Sequence, residues 1–116
     1  MGYRIDFALD GPTLHARVRG RSAHLARAIG YDIAEQARHA AATQLLIDLR
    51  GLVDRLGGLG ALLLPACARR RIAVIDSDDN DGYHPFSEFA ARERGGELRY
   101  FADARAARAW LATYPP

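Results

Sequence analysis

Leu45–Leu64 reads LLIDLRGLVDRLGGLGALLL, and its reading decides the fold. Gln44–Leu49 is a nearly continuous apolar run, as expected of a central parallel strand covered on both faces. That strand is expected to end at Asp48-Leu49. A short crossing follows, and Gly58-Leu59-Gly60 then opens an apolar helix. Asp54 is placed to cap this helix, which should run over roughly 55–68, with Pro65 shortening or kinking it.

Upstream, Tyr3, Ile5, Phe7 and Leu9 alternate with Arg4, Asp6 and Ala8. Leu14, Ala16 and Val18 alternate with His15, Arg17 and Arg19. Both runs have the period of a strand. A two-residue Asp10-Gly11 turn would join them as a hairpin that pairs Phe7 with Leu14, Ile5 with Ala16 and Tyr3 with Val18. The apolar pairs then share one face, and Arg4, Asp6, His15 and Arg17 are left on a solvated one. Ser22 is a candidate cap for a helix to about Ala41, whose core stripe is Leu25, Ile29, Ile33 and Ala37.

Downstream, RIAVID (71–76) reads as another buried strand, followed by the polar loop Ser77–Tyr83. Pro85 suits the first turn of a third helix, with Phe86, Phe89 and Ala90 turned inward. Gly95-Gly96 stops that helix, and Glu97–Phe101 is the last strand. Asp103 caps a final helix that docks Ala107, Trp110, Leu111 and Tyr114. The expected order is ββαβαβαβα: a mixed sheet of about five strands with four helices, mainly on one side. The 116 residues make one domain with a single core, and no repeat, linker or low-complexity segment interrupts them.

An apolar fraction of 49% with 26% charged residues is that of a soluble globular chain. The net charge is only +2 and the basic residues are scattered, which argues against a nucleic-acid partner. All 16 basic residues are arginine, as coding bias in a GC-rich genome would produce. With no lysine, Schiff-base chemistry and a Walker-type phosphate loop are both ruled out. Cys67 is the only cysteine, so no internal disulfide forms; it falls on the core stripe of an apolar helix, where an inert buried thiol is expected. MGYRIDFALD enters a strand directly, so no secretory signal is expected. The lipophilic run 56–68 is too short to span a bilayer. The expected setting is the cytoplasm.

The order of elements and the Leu45–Leu64 segment together resemble the STAS fold of anti-anti-sigma factors. The ending Leu98-Arg99-Tyr100-Phe101-Ala102-Asp103, with Ala107 and Trp110-Leu111, resembles SpoIIAA-like proteins. These are small bacterial domains related to STAS and loosely to SEC14/CRAL-TRIO lipid-binding domains. In STAS switches the corresponding helix opens Asp-Ser-Ser-Gly-Leu-Gly. Matching Gly58-Leu59-Gly60 to its end sets Arg55, Leu56 and Gly57 over Asp-Ser-Ser. Both hydroxyls are absent, so the resemblance implies the fold and a partner surface without a phosphoserine switch at that site.

The expected partner surface is Arg50, Asp54, Arg55, Leu56, Gly57, Gly58, Leu59, Gly60, Leu62, Leu63 and Leu64. Leu62 and Leu64 flank the stripe Leu56, Leu59, Leu63 and Cys67, and they widen its apolar arc to about 200°. That is more than one sheet face needs, which points to a protein partner or a homodimer. The free N–H groups at Gly57–Gly60 would also suit an anion beside Arg50 and Arg55, although tight packing is the simpler use of glycine there. The competing function is carriage of an apolar or lipid ligand lined by Leu59, Leu63, Phe86 and Phe89.

The loop Ser77-Asp78-Asp79-Asn80-Asp81-Gly82 imitates calcium-loop spacing, but it starts on Ser, has His84 where an aliphatic belongs, and follows a strand. It reads as a solvated acidic turn. His84 reads as a helix-entry residue, and Arg69-Arg70-Arg71 as a solvated turn into a strand. No metal, cofactor or catalytic constellation is expected, and the chain reads as a non-enzymatic module.

Overall fold

Five strands and the described helices follow the expected order. The computed structural model describes residues 2–21, 25–53, 70–76, 89, 91–93 and 95–113. The elements are β1 (Tyr3–Asp10), β2 (Thr13–Arg21), α1 (Ala26–Ala40), β3 (Gln44–Val53), β4 (Arg71–Ile75), β5 (Glu97–Phe101) and α2 (Ala104–Ala112). The strands form one sheet in the order β1-β2-β3-β4-β5. β1 is antiparallel to β2, and every later pairing is parallel. This is the expected mixed α/β sheet. Phe89 and residues 91–93 are helical as well, while the helix expected over 55–68 lies outside the described residues.

The hairpin register differs from the expected one by two residues. Phe7 faces Ala16, Ile5 faces Val18 and Leu9 faces Leu14, so the turn residues are Gly11 and Pro12. Gly11 carries φ 59°, and proline then holds a negative φ, the pairing a II′ turn requires. A slip of two preserves the faces of the strand. The apolar partition read from the sequence therefore survives although its partners change. At the other end Gly20 has φ +114°, and a Cβ there would stand 2.3 Å from the Gly2 carbonyl oxygen, so only glycine fits.

β3 is longer than expected. It runs to Val53, and the anticipated crossing at 50–53 pairs with β2 through Gly51, Leu52 and Val53. The ladder shifts between Arg17–Asp48 and Arg19–Gly51, so Leu49 and Arg50 together oppose Val18. This bulge inserts one residue and returns Leu52 to the face of Leu45, Ile47 and Leu49.

α1 spans Ala26–Ala40, starting later than the Ser22 cap would have it; Leu25 is its N-cap residue. Ser22 lies outside the described residues. The stripe Ile29, Ile33 and Ala37 is fully buried against β2, β3 and β4, as its spacing requires. Ala91 joins this core. The inward position expected of Phe89 is corrected here, since its ring is 56% exposed. Two positions along a helix turn a side chain by about 200°, so burying Ala91 sends Phe89 outward.

α2 covers the opposite face. Ala107 and Leu111 pack on Leu46, Ala73 and Ile75, with Phe101 and Trp110 at the side. Asp103 caps the helix as expected, accepting the Ala106 N–H at 2.8 Å. The solvated turn expected for Arg69-Arg70-Arg71 is corrected at Arg71, which is only 8% exposed. Its guanidinium lies 3.9 Å from the Trp110 ring centre, donates to the Trp110 carbonyl at 3.1 Å and meets Glu97 at 3.1 Å. Arg70 donates to the Ala42 carbonyl. Arg71 lies over the Trp110 ring, and both arginines satisfy carbonyls near helix ends, where a solvated run would satisfy none.

Candidate functional site

On the face that α2 covers, the sheet register lines up residues across strands. One row is Ala8, His15, Leu46 and Ala73; the next is Asp6, Arg17, Asp48 and Ile75. α2 lies over the β3–β5 end of these rows and leaves the β1–β2 end open. Between them is a groove of about 260 Å³. Leu46 and Ile75 lie on the sheet side, and Ala104 and Arg108, one helical turn apart, lie on the α2 side. Asp6, His15, Arg17, Asp48 and Arg50 supply its polar wall.

Asp48 organises the wall. One of its oxygens accepts the Arg50 Nε and the Arg50 backbone N–H, both at 3.0 Å, and the other accepts Arg50 Nη2 at 2.8 Å. The bulge makes this closure within two residues feasible, because it turns the Arg50 N–H toward its own strand neighbour. Arg17 stands 4.0 Å from the same carboxylate. Partial burial alone would raise the Asp48 carboxyl, but the side chain and N–H of Arg50 and the charge of Arg17 hold it below the ordinary aspartate value. Arg50 is in turn held more firmly protonated, first by its hydrogen bond to Asp48 and then by that residue's charge, with Asp103 adding a smaller share.

Asp6 is engaged in the same way by Arg4 at 3.1 Å and Arg19 at 2.5 Å. Both acids of the groove thus already have arginine partners. Among the described residues, Arg108 and His15 make no hydrogen bond or ion pair, and Arg17 reaches only the saturated Asp48. The charge left over in the groove is positive.

Of the residues singled out in the sequence, Arg50 is described; it lies at the carboxyl end of β3 and is exposed. Asp54, Arg55, Leu56, Gly57, Gly58, Leu59, Gly60, Leu62, Leu63 and Leu64 lie outside the described residues, as do Cys67, the 77–82 loop, His84 and Phe86. Phe89 stands on the outer side of its helical turn. The structure therefore brings Arg50 together with residues the sequence reading had left as a solvated face: Asp6, His15 and Arg17. The missed signal was Asp48 itself. A carboxylate in an otherwise apolar central strand marks where the covering layer stops. Arg108 carried no signal, because only the docking of α2 brings it to the groove.

The comparisons locate the chain among known folds. No family model matches it, and no curated protein matches it. Solved structures do. A DUF3478-family protein of SpoIIAA-like fold from Shewanella loihica PV-4 is 22% identical, with a TM-score of 0.53, over 95% of this chain and 94% of that one. The anti-sigma factor antagonist SpoIIAA in its unphosphorylated form is 14% identical, with a TM-score of 0.62, over 97% of this chain and 100% of that one. The resemblance carried by the Leu45–Leu64 segment and the Trp110-Leu111 ending therefore holds for the architecture, and this chain has the SpoIIAA-like fold.

Proposed function

We propose that this chain is a non-enzymatic STAS-like binding or regulatory module whose partner is another protein or a second copy of itself. The partner surface runs from Arg50 through the Asp54–Leu64 segment, and no phosphoserine switch operates there. The supporting observation is the course of β3. It carries the chain to Val53, 51% exposed at the carboxyl edge of the parallel strands and directly before Asp54 in the sequence. The carboxyl ends of parallel strands are where open α/β sheets engage what they bind. One solved protein that shares the fold over nearly the whole chain is named an anti-sigma factor antagonist. At Arg55, Leu56 and Gly57 there is no hydroxyl to phosphorylate.

The second reading is binding of an apolar or lipid ligand, and Phe89, whose ring is exposed, would have to meet it from outside its helical turn. Native mass spectrometry and light scattering of the freshly purified protein separate the two. A dimer, or a chain without adduct that captures a partner from its own lysate, supports the module. Leu62→Asp or Leu64→Asp should then abolish the association while leaving the circular dichroism unchanged. A lipid-sized adduct would transfer the function to the second reading. Unchanged association in both variants would refute the assigned surface.

A further inference from the structure

The groove beside α2 shares Arg50 with the proposed partner surface, and its geometry points to a use of its own. We propose that it binds a compact organic oxyanion: a small molecule with a phosphate or carboxylate head and a short apolar body.

Charge carries the first step. Asp6 and Asp48 are saturated by Arg4, Arg19 and Arg50, so neither competes strongly for a further cation. Among the described residues Arg108 is exposed and makes no hydrogen bond or ion pair, and Arg17 has only a 4.0 Å approach to an occupied carboxylate. A planar guanidinium presents two parallel N–H groups, which fit a carboxylate or phosphate edge. His15 adds a further polar group to the same wall.

Shape carries the second step. A volume of about 260 Å³ lies just under the range of drug-sized pockets, which suits a head group and a few carbons. The floor is Leu46 and Ile75 under the Ala104 methyl, an apolar strip beside the charged wall. That pairing of a few polar groups with apolar lining is the usual build of a small-molecule site. Asp48 has a positioning role. Its bidentate hold on Arg50 keeps that guanidinium against the wall and leaves the floor clear.

The test is an amide-resolved NMR titration with phenyl phosphate, benzoate and neutral benzyl alcohol as probes. The proposal expects saturable shifts at Asp6–Ala8, His15–Arg17, Leu46–Arg50 and Ala104–Arg108 with at least one anion and none with the alcohol. A stronger response to phenyl phosphate assigns a phosphomonoester, and a stronger one to benzoate assigns a carboxylate. Arg108→Gln and Arg17→Gln should each weaken binding roughly tenfold, as loss of one charge-assisted contact does. Arg105→Gln, exposed on α2 and not part of the groove, should leave it unchanged. Absence of groove shifts, equal shifts with benzyl alcohol, or equal affinity in Arg108→Gln would overturn the proposal. The spectra themselves report whether each variant is folded.

Discussion

The two faces of the sheet are built to different standards. Against α1, β2, β3, β4 and β5 all contribute buried aliphatic side chains, from Leu14 and Val18 across to Leu98. Against α2, the buried cluster among the described residues is Leu46, Ala73, Ile75, Ala107 and Leu111, and beyond it the rows turn to charge. β3 shows the contrast within one strand. Leu45, Ile47, Leu49 and Leu52 point one way, and Leu46, Asp48 and Arg50 the other. A strand alternates its faces by geometry alone. The alternation here therefore assigns one face to cohesion and leaves half of the other available for recognition.

That contrast sets the largest predicted effect. Ile47→Ala removes three carbons from a fully enclosed site and should cost about 3–4 kcal/mol. Leu46→Ala removes the same number from a smaller cluster that borders the groove. There the lining can relax and water can reach the gap, so the cost should be about 2–3 kcal/mol. Urea unfolding of both variants checks this. Equal losses would mean that the α2 face is packed as fully as the α1 face, and the groove would lose its physical basis.

The next effect concerns how α2 is held. With little apolar area beneath it, the helix is fastened at its last turn by side chains that donate to carbonyls. Arg71 reaches Trp110 O, and Gln44 Nε2 reaches Leu111 O at 3.0 Å. Thr13 fixes Gln44 through a 2.8 Å hydrogen bond, so β2, β3 and β4 all grip the same helix end. Arg71→Met keeps much of the stem but loses the hydrogen bonds to Glu97 and the Trp110 carbonyl and the stacking on Trp110, at a cost of about 1.5–3 kcal/mol. Trp110 is the only tryptophan, so its emission should shift to the red as the ring loses its cover. An unshifted spectrum with unchanged stability would show that Arg71 adds nothing to the hold on α2 that Gln44 and the Ala107–Leu111 packing supply.

Much of this architecture was legible in the sequence, and the parts that were not share a cause. The strand periods, the Ile29–Ile33–Ala37 stripe, the Asp103 cap and the Trp110 anchor depend on local spacing, and local spacing is written in the chain. The hairpin register was misread because Asp10-Gly11 and Gly11-Pro12 both supply a positive φ, and both place the apolar residues on one face. The end of β3 was misread because its last residues pair only with β2, across a bulge that no pattern announces. Arg71 looked solvated among arginines and is instead buried by a helix 39 residues further on. The groove depended on the same kind of distant meeting, between Arg108 and the hairpin. The leucine-rich surface proposed at 54–64 rests on the sequence alone.

The smallest effect separates the two faces by pH. Tyr3 lies on the α1 side and donates to Asp32 Oδ2 at 2.5 Å. That hydrogen bond, then burial and the aspartate charge, pushes its pKa up to about 12. A raised folded-state value means that the contribution is whole below the unfolded value near 10 and is lost as pH climbs from there to about 12. Asp48, on the groove side, has a lowered value, so its contribution is whole above the ordinary aspartate range and is lost as pH falls through the folded value. Denaturant midpoints of the wild type should fall at both extremes. Tyr3→Phe should flatten the alkaline limb only, and Asp48→Asn the acid limb only, each by about 1 kcal/mol or less, as expected for pairs with one solvent-exposed member. If Asp48→Asn left the acid limb unchanged, the Arg50–Asp48 closure would contribute nothing to stability. The charged half of the sheet would then be held by its backbone ladder alone, and the groove wall would be set by pairing with β2.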